Sequence, residues 1–447
     1  MESTKKHVVI VPFPAQGHVN PAIRLANLLA DFGLKITLFT TDSIGSRLSK
    51  ESKNYSNIVI FSFPDGLAKD ETNRHAGRII MENFVKLMPA YLTDFINRVQ
   101  RQEETIDCII SDNIWALKTA KMMGLKTASF VPVGSAALAL GLRSSELLQA
   151  GIVDDEGTPL KKEEFLLSPH LPALTNTDYM WNFPGDKLFQ KFWFQLFISV
   201  EKYLKESNWV LGNWFHDLDP SADDLLPNVI PVGPLLSSNN SSGSFFSQDS
   251  SCLTWLDKHP LQSVIYIAFG STTKFNQQQF EELAIGLELI GKPFLWVVRP
   301  DFTNWMTTEY FDNLQKRVGN IGKLVEWAPQ EKVLSHPSIS FFLTHCGYNS
   351  VLESISLGVP MLCWPYYADH FYYRSCVCNS WKAGLELNPN ENGIVTRHQL
   401  KTKVDQLLAN NGIRSNVLKL KKLAQKSIGI NGSSYQNLAK FVEQLSD

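Results

Sequence analysis

A histidine and an aspartate stand where a pair of side chains could move a proton. His18 follows the apolar run 8–13 through a turn that contains proline and glycine, and Asp112 directly follows the apolar run 108–111. Histidine suits general base catalysis near neutral pH, and a carboxylate behind the ring fixes its tautomer and stabilises the imidazolium. We therefore predict that His18 is a general base oriented by Asp112. The alternatives are a structural histidine and, for Asp112, the cap of a helix that begins at Ile114.

A second group of residues, within 327–370, has the types and the spacing that suit a nucleotide. Trp327 offers an indole that can stack on a base, and a His-x-Gly turn precedes a helix predicted to begin at 349–350. Glycine lets the backbone approach an anion, and a helix N-terminus presents free N–H groups and a positive dipole end, so a pyrophosphate would fit. Glu353 could accept hydrogen bonds from a ribose, and Asp369 could accept them from a sugar.

Other common cofactor and metal motifs are missing from the sequence. The first strand does not lead into G-x-G-x-x-G, and neither G-x-x-x-x-G-K-[ST] nor H-E-x-x-H occurs. A nicotinamide dehydrogenase and a P-loop ATPase are therefore disfavoured, and we expect no metal and no other cofactor. The six cysteines lack C-x-x-C spacing, which favours reduced thiols in a cytoplasmic protein.

The composition limits the partners that we expect. The 447 residues include 42 basic and 44 acidic side chains, a net charge of −2, which gives no electrostatic footprint for nucleic acid or for an anionic membrane. The N-terminus lacks the pattern of a secretory signal, and no apolar stretch reaches the roughly 18 residues that would indicate a membrane span.

Strand and helix patterns alternate along the chain in two blocks. A strand over 8–13 is followed by a helix over 21–32, and a second block of the same kind begins with a strand at 263–269. Alternation with connections of crossover length predicts α/β domains with doubly wound parallel sheets, which bind ligands at the carboxyl ends of their strands. The polar run 237–244 is the predicted linker.

The linker sets the predicted domain boundary near residue 240. The N-terminal domain is then 1–240 and the C-terminal domain 241–432, and a helix over 433–447 is expected to pack back on the N-terminal domain. Two such blocks that face each other would form a cleft suited to a two-substrate enzyme, although a fold alone does not decide function.

Four short motifs of the chain occur together in one known family. They are PFPAQGHVNP at 12–21, WAPQ at 327–330, THCGYNS at 344–350 and ADH at 368–370. With them the chain resembles the plant-type family 1 UDP-glycosyltransferases, whose signature box spans the last three. The resemblance implies a GT-B fold, with two Rossmann-like domains that face each other across a cleft. It also implies an N-terminal domain for the acceptor and a C-terminal domain for the UDP-sugar.

The resemblance assigns the nucleoside contacts residue by residue. Trp327 would stack on uracil, the backbone of Ala328 would pair with uracil, and Gln330 and Glu353 would hold the ribose. The alternatives are a core position for Trp327 and a solvated helix position for Glu353.

The resemblance also assigns residues to the diphosphate and the sugar. Asp369 and His370 would face the transferred sugar, although Asp369 could instead cap the next helix and Ser271 could be an ordinary loop serine. The other residues that the resemblance places at the UDP-sugar, chiefly around the diphosphate, are Ser271, His345, Gly347, Tyr348, Asn349 and Ser350.

The expected reaction is a single displacement with inversion. His18 deprotonates a hydroxyl of the acceptor, which attacks the anomeric carbon while UDP leaves. The rival hypotheses are another enzyme on the same fold, such as a nucleotide-sugar epimerase or a phosphorylase, and a catalytically silent UDP-sugar sensor or scaffold. A monomer is expected from the family precedent.

Three positions depart from the pattern of the family. Tyr348 replaces a common Trp, His370 replaces a common Gln, and Tyr373 replaces a frequent Asn. The Asp-Gln ending accompanies glucose donors, whereas a His ending resembles members that use galactose, arabinose or rhamnose. Glucose therefore stays the default sugar, with the other three open.

The expected acceptor is a small lipophilic alcohol or phenol, such as a flavonoid, a terpenoid, a steroid or a simple phenolic. Small-molecule pockets are mostly apolar, and the N-terminal block is rich in aromatic residues. Most of these aromatic residues are expected to be core. The candidates are Phe13, Phe84, Trp115, Tyr179, Trp181, Phe183, Phe192, Trp193 and Phe194.

Overall fold

In the computed structural model, the contacts within the chain divide it into two units. The first unit comprises Met1–Glu163, Phe183–Phe246 and Lys426–Asp447, and the second comprises Glu164–Asn182 and Ser247–Gln425. The predicted linker lies, from residue 238 onward, outside the described residues. The structure describes residues 5–50, 58–67, 78–161, 164, 166–168, 171–175, 178–237, 251–271, 273–299, 305, 307–319 and 321–446.

The first unit contains a parallel sheet of seven strands in the order β3-β2-β1-β4-β5-β6-β7. Its central strands are apolar and buried along their length, as is typical of parallel strands covered on both faces. The strands are β1 (His7–Val11), β2 (Lys35–Thr41), β3 (Ile58–Phe63), β4 (Cys108–Ser111), β5 (Lys126–Val131), β6 (Trp209–Gly212) and β7 (Val229–Pro231).

Eight helices and one 3-10 turn connect these strands within the described part of the first unit. They are α1 (Gln16–Asp31), α2 (Asp42–Lys50), α3 (Arg78–Arg101), α4 (Ile114–Met122), α5 (Ser135–Gly141), α6 (Ser144–Gln149), α7 (Lys187–Glu206), the 3-10 turn His216–Leu218 and α8 (Ala222–Leu225).

The start of α1 corrects the prediction of a helix over 21–32. The helix begins at Gln16, so Pro21 lies in its second turn and His18 lies in its first turn rather than in a loop. Proline is most common at the first helical position, which suggested the later start. Pro21 instead lies beyond the first four N–H groups, so α1 continues through a proline that supplies no i to i−4 hydrogen bond at this position.

The second unit contains a parallel sheet of six strands in the order β10-β9-β8-β11-β12-β13. The predicted fold class, α/β with two doubly wound parallel sheets, is therefore confirmed. The strands are β8 (Val264–Ala268), β9 (Phe294–Val297), β10 (Gly322–Val325), β11 (Ile339–Thr344), β12 (Met361–Cys363) and β13 (Gly384–Glu386).

The helices of the second unit follow its strands in the same alternating way. They are α9 (Ser251–Leu256), α10 (Gln277–Ile290), α11 (Thr308–Val318), α12 (Gln330–Ser335), α13 (Tyr348–Leu357), α14 (His370–Ser375), the π-helical turn Cys376–Ser380, α15 (Arg397–Ala409) and α16 (Asn411–Ile428).

The last helix, α17 (Ser433–Ser446), belongs to the first unit. Its Leu438 and Phe441 lie in the same hydrophobic cluster as Val8 of β1. The indole N–H of Trp209 donates a hydrogen bond of 2.8 Å to the side chain of Gln444. None of the described helices is long and apolar enough to cross a membrane.

Candidate functional site

His18 and Asp112 are brought together by neighbouring strands of the first sheet. β1 pairs with β4 so that Val11 lies opposite Ser111, and the chain leaves both strands at the same edge. The Nδ1 atom of His18 lies 2.8 Å from Oδ2 of Asp112. The aspartate side chain is 1% exposed and the histidine side chain 28%. The His18 ring is therefore partly exposed, while a buried carboxylate holds its Nδ1 side and leaves Nε2 out of this contact.

Asp112 is free for this contact because its neighbour caps the helix. The side chain of Asn113 accepts a hydrogen bond of 2.9 Å from the backbone N–H of Ala116. The alternative that Asp112 caps α4 is therefore wrong. The second carboxylate oxygen of Asp112 accepts the backbone N–H of Phe13 at 2.7 Å. That bond fixes the turn between β1 and α1 and, with it, the position of His18.

An apolar wall stands beside the His18 ring. Phe13 meets His18 edge-on with ring centroids 5.2 Å apart, and it meets Phe84 of α3 in the same way at 5.6 Å. Four of the nine candidate aromatic residues for an acceptor site are buried, and Phe13 and Trp115 pack against the hydrophobic cluster that contains Phe84, so most of the nine belong to or line the core, as expected. The buried ones are Phe84, Tyr179, Trp181 and Phe194, whereas Phe13, Trp115, Phe183, Phe192 and Trp193 are half-buried.

The second group of residues gathers at the carboxyl ends of strands in the second sheet. β11 ends at Thr344, and α13 begins at Tyr348, one residue before its predicted start, with Gly347 in the N-cap position. Cys346 between them has a φ of +68°, in the left-handed region that residues other than glycine seldom adopt. This turn brings the N-terminus of α13, the positive end of its dipole, to the edge of the sheet.

His345 is buried between two backbone segments that must be glycine. A Cβ atom added at Gly270 or at Gly347 would lie 2.5 Å from the Nε2 atom of His345. Burial, and then the positive charge of Arg299, lower the pKa of His345 to about 4. Its imidazole is therefore neutral at pH 7 and can donate one hydrogen bond.

His370 shares this buried environment. The His370 ring meets the His345 ring edge-on, with ring centroids 4.7 Å apart, and its centroid lies 4.6 Å from that of the Tyr367 ring. Burial, and then His345, hold the pKa of His370 well below the ordinary histidine value. Asp369 occupies the N-cap position of α14, but its side chain makes no capping hydrogen bond. The capping alternative for Asp369 is therefore wrong.

Gln330, Ser350 and Glu353 form one hydrogen-bonded group. The side-chain amide of Gln330 donates to Glu353 at 2.7 Å and to the Ser350 hydroxyl at 2.9 Å. Glu353 is 4% exposed, so the alternative of a solvated helix residue is wrong. Trp327 follows β10 and is half-buried, and Ala328 after it is buried. Gln330 and Glu353, the two residues expected to hold a ribose, are therefore in direct contact, and Glu353 lies in the second turn of α13.

No group of three or more His, Cys, Asp or Glu side chains within the described ranges is arranged to hold a metal ion.

A family model described as UDP-glucoronosyl and UDP-glucosyl transferase matches residues 181–427, more than half of the chain. The chain belongs to this UDP-glycosyltransferase family. UDP-glycosyltransferase 83A1 of Arabidopsis thaliana is 34% identical, covering 98% of this chain and 96% of the relative.

Solved structures of UDP-glycosyltransferases have the same fold. One is a UDP-glucosyltransferase from Polygonum tinctorium capable of glucosylating indoxyl, in complex with 3,4-dichloroaniline (TM-score 0.85, 25% identity, all of both chains covered). Another is Phytolacca americana UGT2 with UDP-2-fluoro-glucose and pterostilbene (TM-score 0.81, 26% identity, 99% of this chain and 100% of that chain covered). The fold of this UDP-dependent glycosyltransferase is GT-B.

Two of the three departures from the family pattern are in contact in this glycosyltransferase. The rings of Tyr348 and Tyr373 lie 4.9 Å apart, and both side chains are buried. The two tyrosines therefore form one packing unit between α13 and α14, the helices that begin with the residues expected at the diphosphate and the sugar.

Two contacts of the glycosyltransferase beside these residues were not predicted from the sequence. The backbone N–H of Ala368, at a φ of +51°, donates to the carbonyl of Asn182 at 2.7 Å and so fixes the turn before Asp369. The guanidinium of Arg299 donates to backbone carbonyls of the loop that contains Ser271. A charged residue just after an apolar strand was a local signal that could have marked Arg299 as a functional residue. No local pattern marks Asn182 in this way.

Proposed function

We propose that this UDP-glycosyltransferase transfers a sugar, with inversion, to a hydroxyl group of a small lipophilic acceptor. The observation that carries the proposal is the contact between His18 and Asp112 beside the apolar ring of Phe13. His18 takes the hydroxyl proton on Nε2, the acceptor oxygen bonds to the anomeric carbon, and the bond from that carbon to the diphosphate breaks. Asp112 holds the ring in the tautomer whose Nε2 is a proton acceptor and stabilises the imidazolium.

In this proposal the second unit holds UDP and stabilises it as the leaving group. Trp327 and Ala328 bind uracil, and Gln330 and Glu353 bind the ribose. The N-terminus of α13 and the neutral His345 ring support the assignment of the diphosphate to this unit, because a helix N-terminus attracts an anion and a neutral imidazole can donate a hydrogen bond to one. The further residues that we assign to the UDP-sugar are Ser271, Gly347, Tyr348, Asn349, Ser350, Asp369 and His370.

A lipophilic acceptor is supported by an apolar cavity in the first unit. The cavity lies between α3 and α7 and is lined mainly by Met81, Val85, Leu188, Phe189 and Phe192. Indoxyl and pterostilbene, named with the two solved relatives, are small aromatic molecules. Terpenoid, steroid, flavonoid and phenolic hydroxyls all match an apolar wall with few polar groups.

Glucose is the donor sugar that we propose first. Both solved relatives are named with glucose, as a glucosylating enzyme and as a complex with UDP-2-fluoro-glucose. His370 keeps galactose, arabinose and rhamnose as alternatives. An imidazole offers one donor or acceptor per nitrogen and cannot reproduce both bonds of an amide.

The test is a screen of UDP-sugars against hydroxylated acceptors, with mass detection of the conjugate. We expect a product whose mass exceeds that of the acceptor by one sugar residue, together with UDP in equal amount. Binding of UDP without any conjugate across the acceptor classes would favour a silent sensor. Consumption of the UDP-sugar without an acceptor would indicate a different reaction.

A further inference from the structure

A buried arginine holds the loop that contains Ser271. Arg299 follows β9 and is only 5% exposed. Its guanidinium donates to the carbonyl of Gly270 and, at 2.8 Å, to the carbonyl of Thr273. These carbonyls lie on either side of Ser271, so one planar group fixes both ends of the turn. Arginine suits this arrangement because its donors are set in a rigid fork.

The loop held by Arg299 packs directly against His345. Gly270 has a φ of +69°, and its Cα lies so close to the imidazole that a Cβ would clash with Nε2. The position of the loop relative to this nitrogen therefore depends on the two guanidinium bonds. Any displacement of Gly270 would change the space beside His345 and the direction of the neighbouring serine.

The charge of Arg299 acts on the same histidine. Besides burial, the groups that act on the protonation of His345 are Arg299 and the backbone of Ala268, which favours protonation, and the His370 ring meets the imidazole edge-on. Arg299 opposes protonation and reinforces the effect of burial, so it helps keep the ring a neutral donor. Arg299 also acts electrostatically on Tyr367, which packs on His370.

We propose that Arg299 is a positioning residue of the donor site, which sets the Gly270–Ser271 turn beside His345 for binding the diphosphate. The proposal rests on the proposed function, since it assumes that the diphosphate binds beside His345 and Ser271. It adds a residue outside the signature box, just after β9, a strand that is followed by none of the predicted ligands. Its positive charge also favours an anion at this edge of the sheet.

The experiment compares Arg299→Met and Arg299→Lys with the wild-type chain. Arg317→Met is the matched control, because Arg317 lies on α11 of the same unit and pairs at the surface with Glu288. UDP affinity is measured by calorimetry, and the titration of His345 is followed by NMR of the imidazole nitrogens. A purely structural role of Arg299 would change stability but would leave the titration midpoint of His345 where it is.

We expect Arg299→Met to weaken UDP binding about 2- to 30-fold, the range for residues that act on a ligand without touching it. The midpoint of His345, about 4 in the wild type, should move upward. Arg299→Lys should keep the midpoint low and still weaken UDP binding, because an ammonium cannot replace the fork. Arg317→Met should change neither quantity.

Unchanged UDP affinity in both Arg299 variants would overturn the proposal, as would an unmoved His345 midpoint in Arg299→Met. If Arg299→Met does not fold, Arg299→Lys decides, and wild-type affinity in that variant refutes the positioning role. Failure of the wild-type chain to bind UDP would refute the proposed function itself. The two failures are therefore distinguishable.

Discussion

The two units place histidines in opposite environments. In the first unit His18 has a buried carboxylate 2.8 Å from one nitrogen, and its side chain is 28% exposed. In the second unit His345 is buried against glycine backbone, with the cationic Arg299 acting on it. A neighbouring anion stabilises a protonated ring, whereas burial and a neighbouring cation prevent protonation. The same residue type is thus suited to accept a proton in one unit and to donate a hydrogen bond in the other.

The largest expected effect comes from removing the proton acceptor. We expect His18→Ala to lower kcat by about 10³- to 10⁴-fold, near the upper end for general base catalysis, because no other group would take the hydroxyl proton. Steady-state kinetics with the best donor and acceptor would measure it. His216→Ala is the matched control, since His216 also pairs with an aspartate, Asp223, at 3.0 Å but lies at the surface. Near-normal turnover in His18→Ala would show that the base is another residue.

A smaller loss should follow when only the carboxylate charge is removed. Asp112→Asn keeps the shape of the side chain but no longer stabilises the imidazolium, and its amide can hold the wrong tautomer. We expect kcat to fall about 10²- to 10³-fold. Asp223→Asn, in the surface pair, should leave kcat unchanged. Equal kcat values for Asp112→Asn and the wild type would separate His18 from its proposed partner.

Acid should destabilise the second unit through its buried histidines. The folded-state pKa of His345, about 4, lies below its unfolded value of 6.5, so the unfolded chain binds more protons as the pH falls. The contribution of neutral His345 to stability is complete above pH 6.5 and is lost as the pH falls toward 4. Between pH 7 and pH 5 the loss is about 2 kcal/mol, and His370 adds to it in the same direction.

Urea unfolding of wild-type protein and His345→Gln at pH 7 and pH 5 would measure this effect. We expect the wild type to lose more stability on acidification than the variant does, because the variant has no imidazole to protonate at this position. An identical pH dependence in the two proteins would mean that His345 is not held neutral by its surroundings.

The smallest expected effect concerns the choice of sugar. His370→Gln introduces the amide that the resemblance associates with glucose donors, so turnover with UDP-glucose relative to UDP-galactose should rise by about 2- to 10-fold, the worth of one hydrogen bond. His398→Gln on α15 is the matched control, since His398 is exposed in the same unit. An unchanged donor ratio would show that His370 does not set the sugar.

The fold could be predicted because its signals are local and repeated. Strands such as β1 and β8 are continuous apolar runs, which buried parallel strands require, and helices separate them. The edge at which His18 and Asp112 meet follows from the same rule, since both come after strands of one sheet. Helix starts were less predictable. Pro21 would suit the first position of a helix and Asp112 the N-cap of α4, but α1 begins at Gln16 and Asn113 caps α4.

Contacts between distant residues could not be predicted from local patterns. Arg299 reaches Gly270, and Gln330 reaches Glu353, only because separate strands and helices end at one edge of the sheet. The burial of Glu353 likewise depends on the packing of α12 against α13 rather than on its own segment. A single sequence therefore indicates which residues could carry the chemistry. The structure adds how deeply each of them is buried and which distant residues hold it in place.

We assign proton transfer to the first unit and diphosphate binding to the second. The most direct test measures UDP binding by calorimetry in one histidine variant of each unit. We predict that His18→Ala binds UDP as the wild type does, while His345→Ala binds it about 10-fold or more weakly, because a donor to the diphosphate is lost. Loss of UDP binding in His18→Ala, or wild-type affinity in His345→Ala, would contradict the assignment of proton transfer to one unit and diphosphate binding to the other.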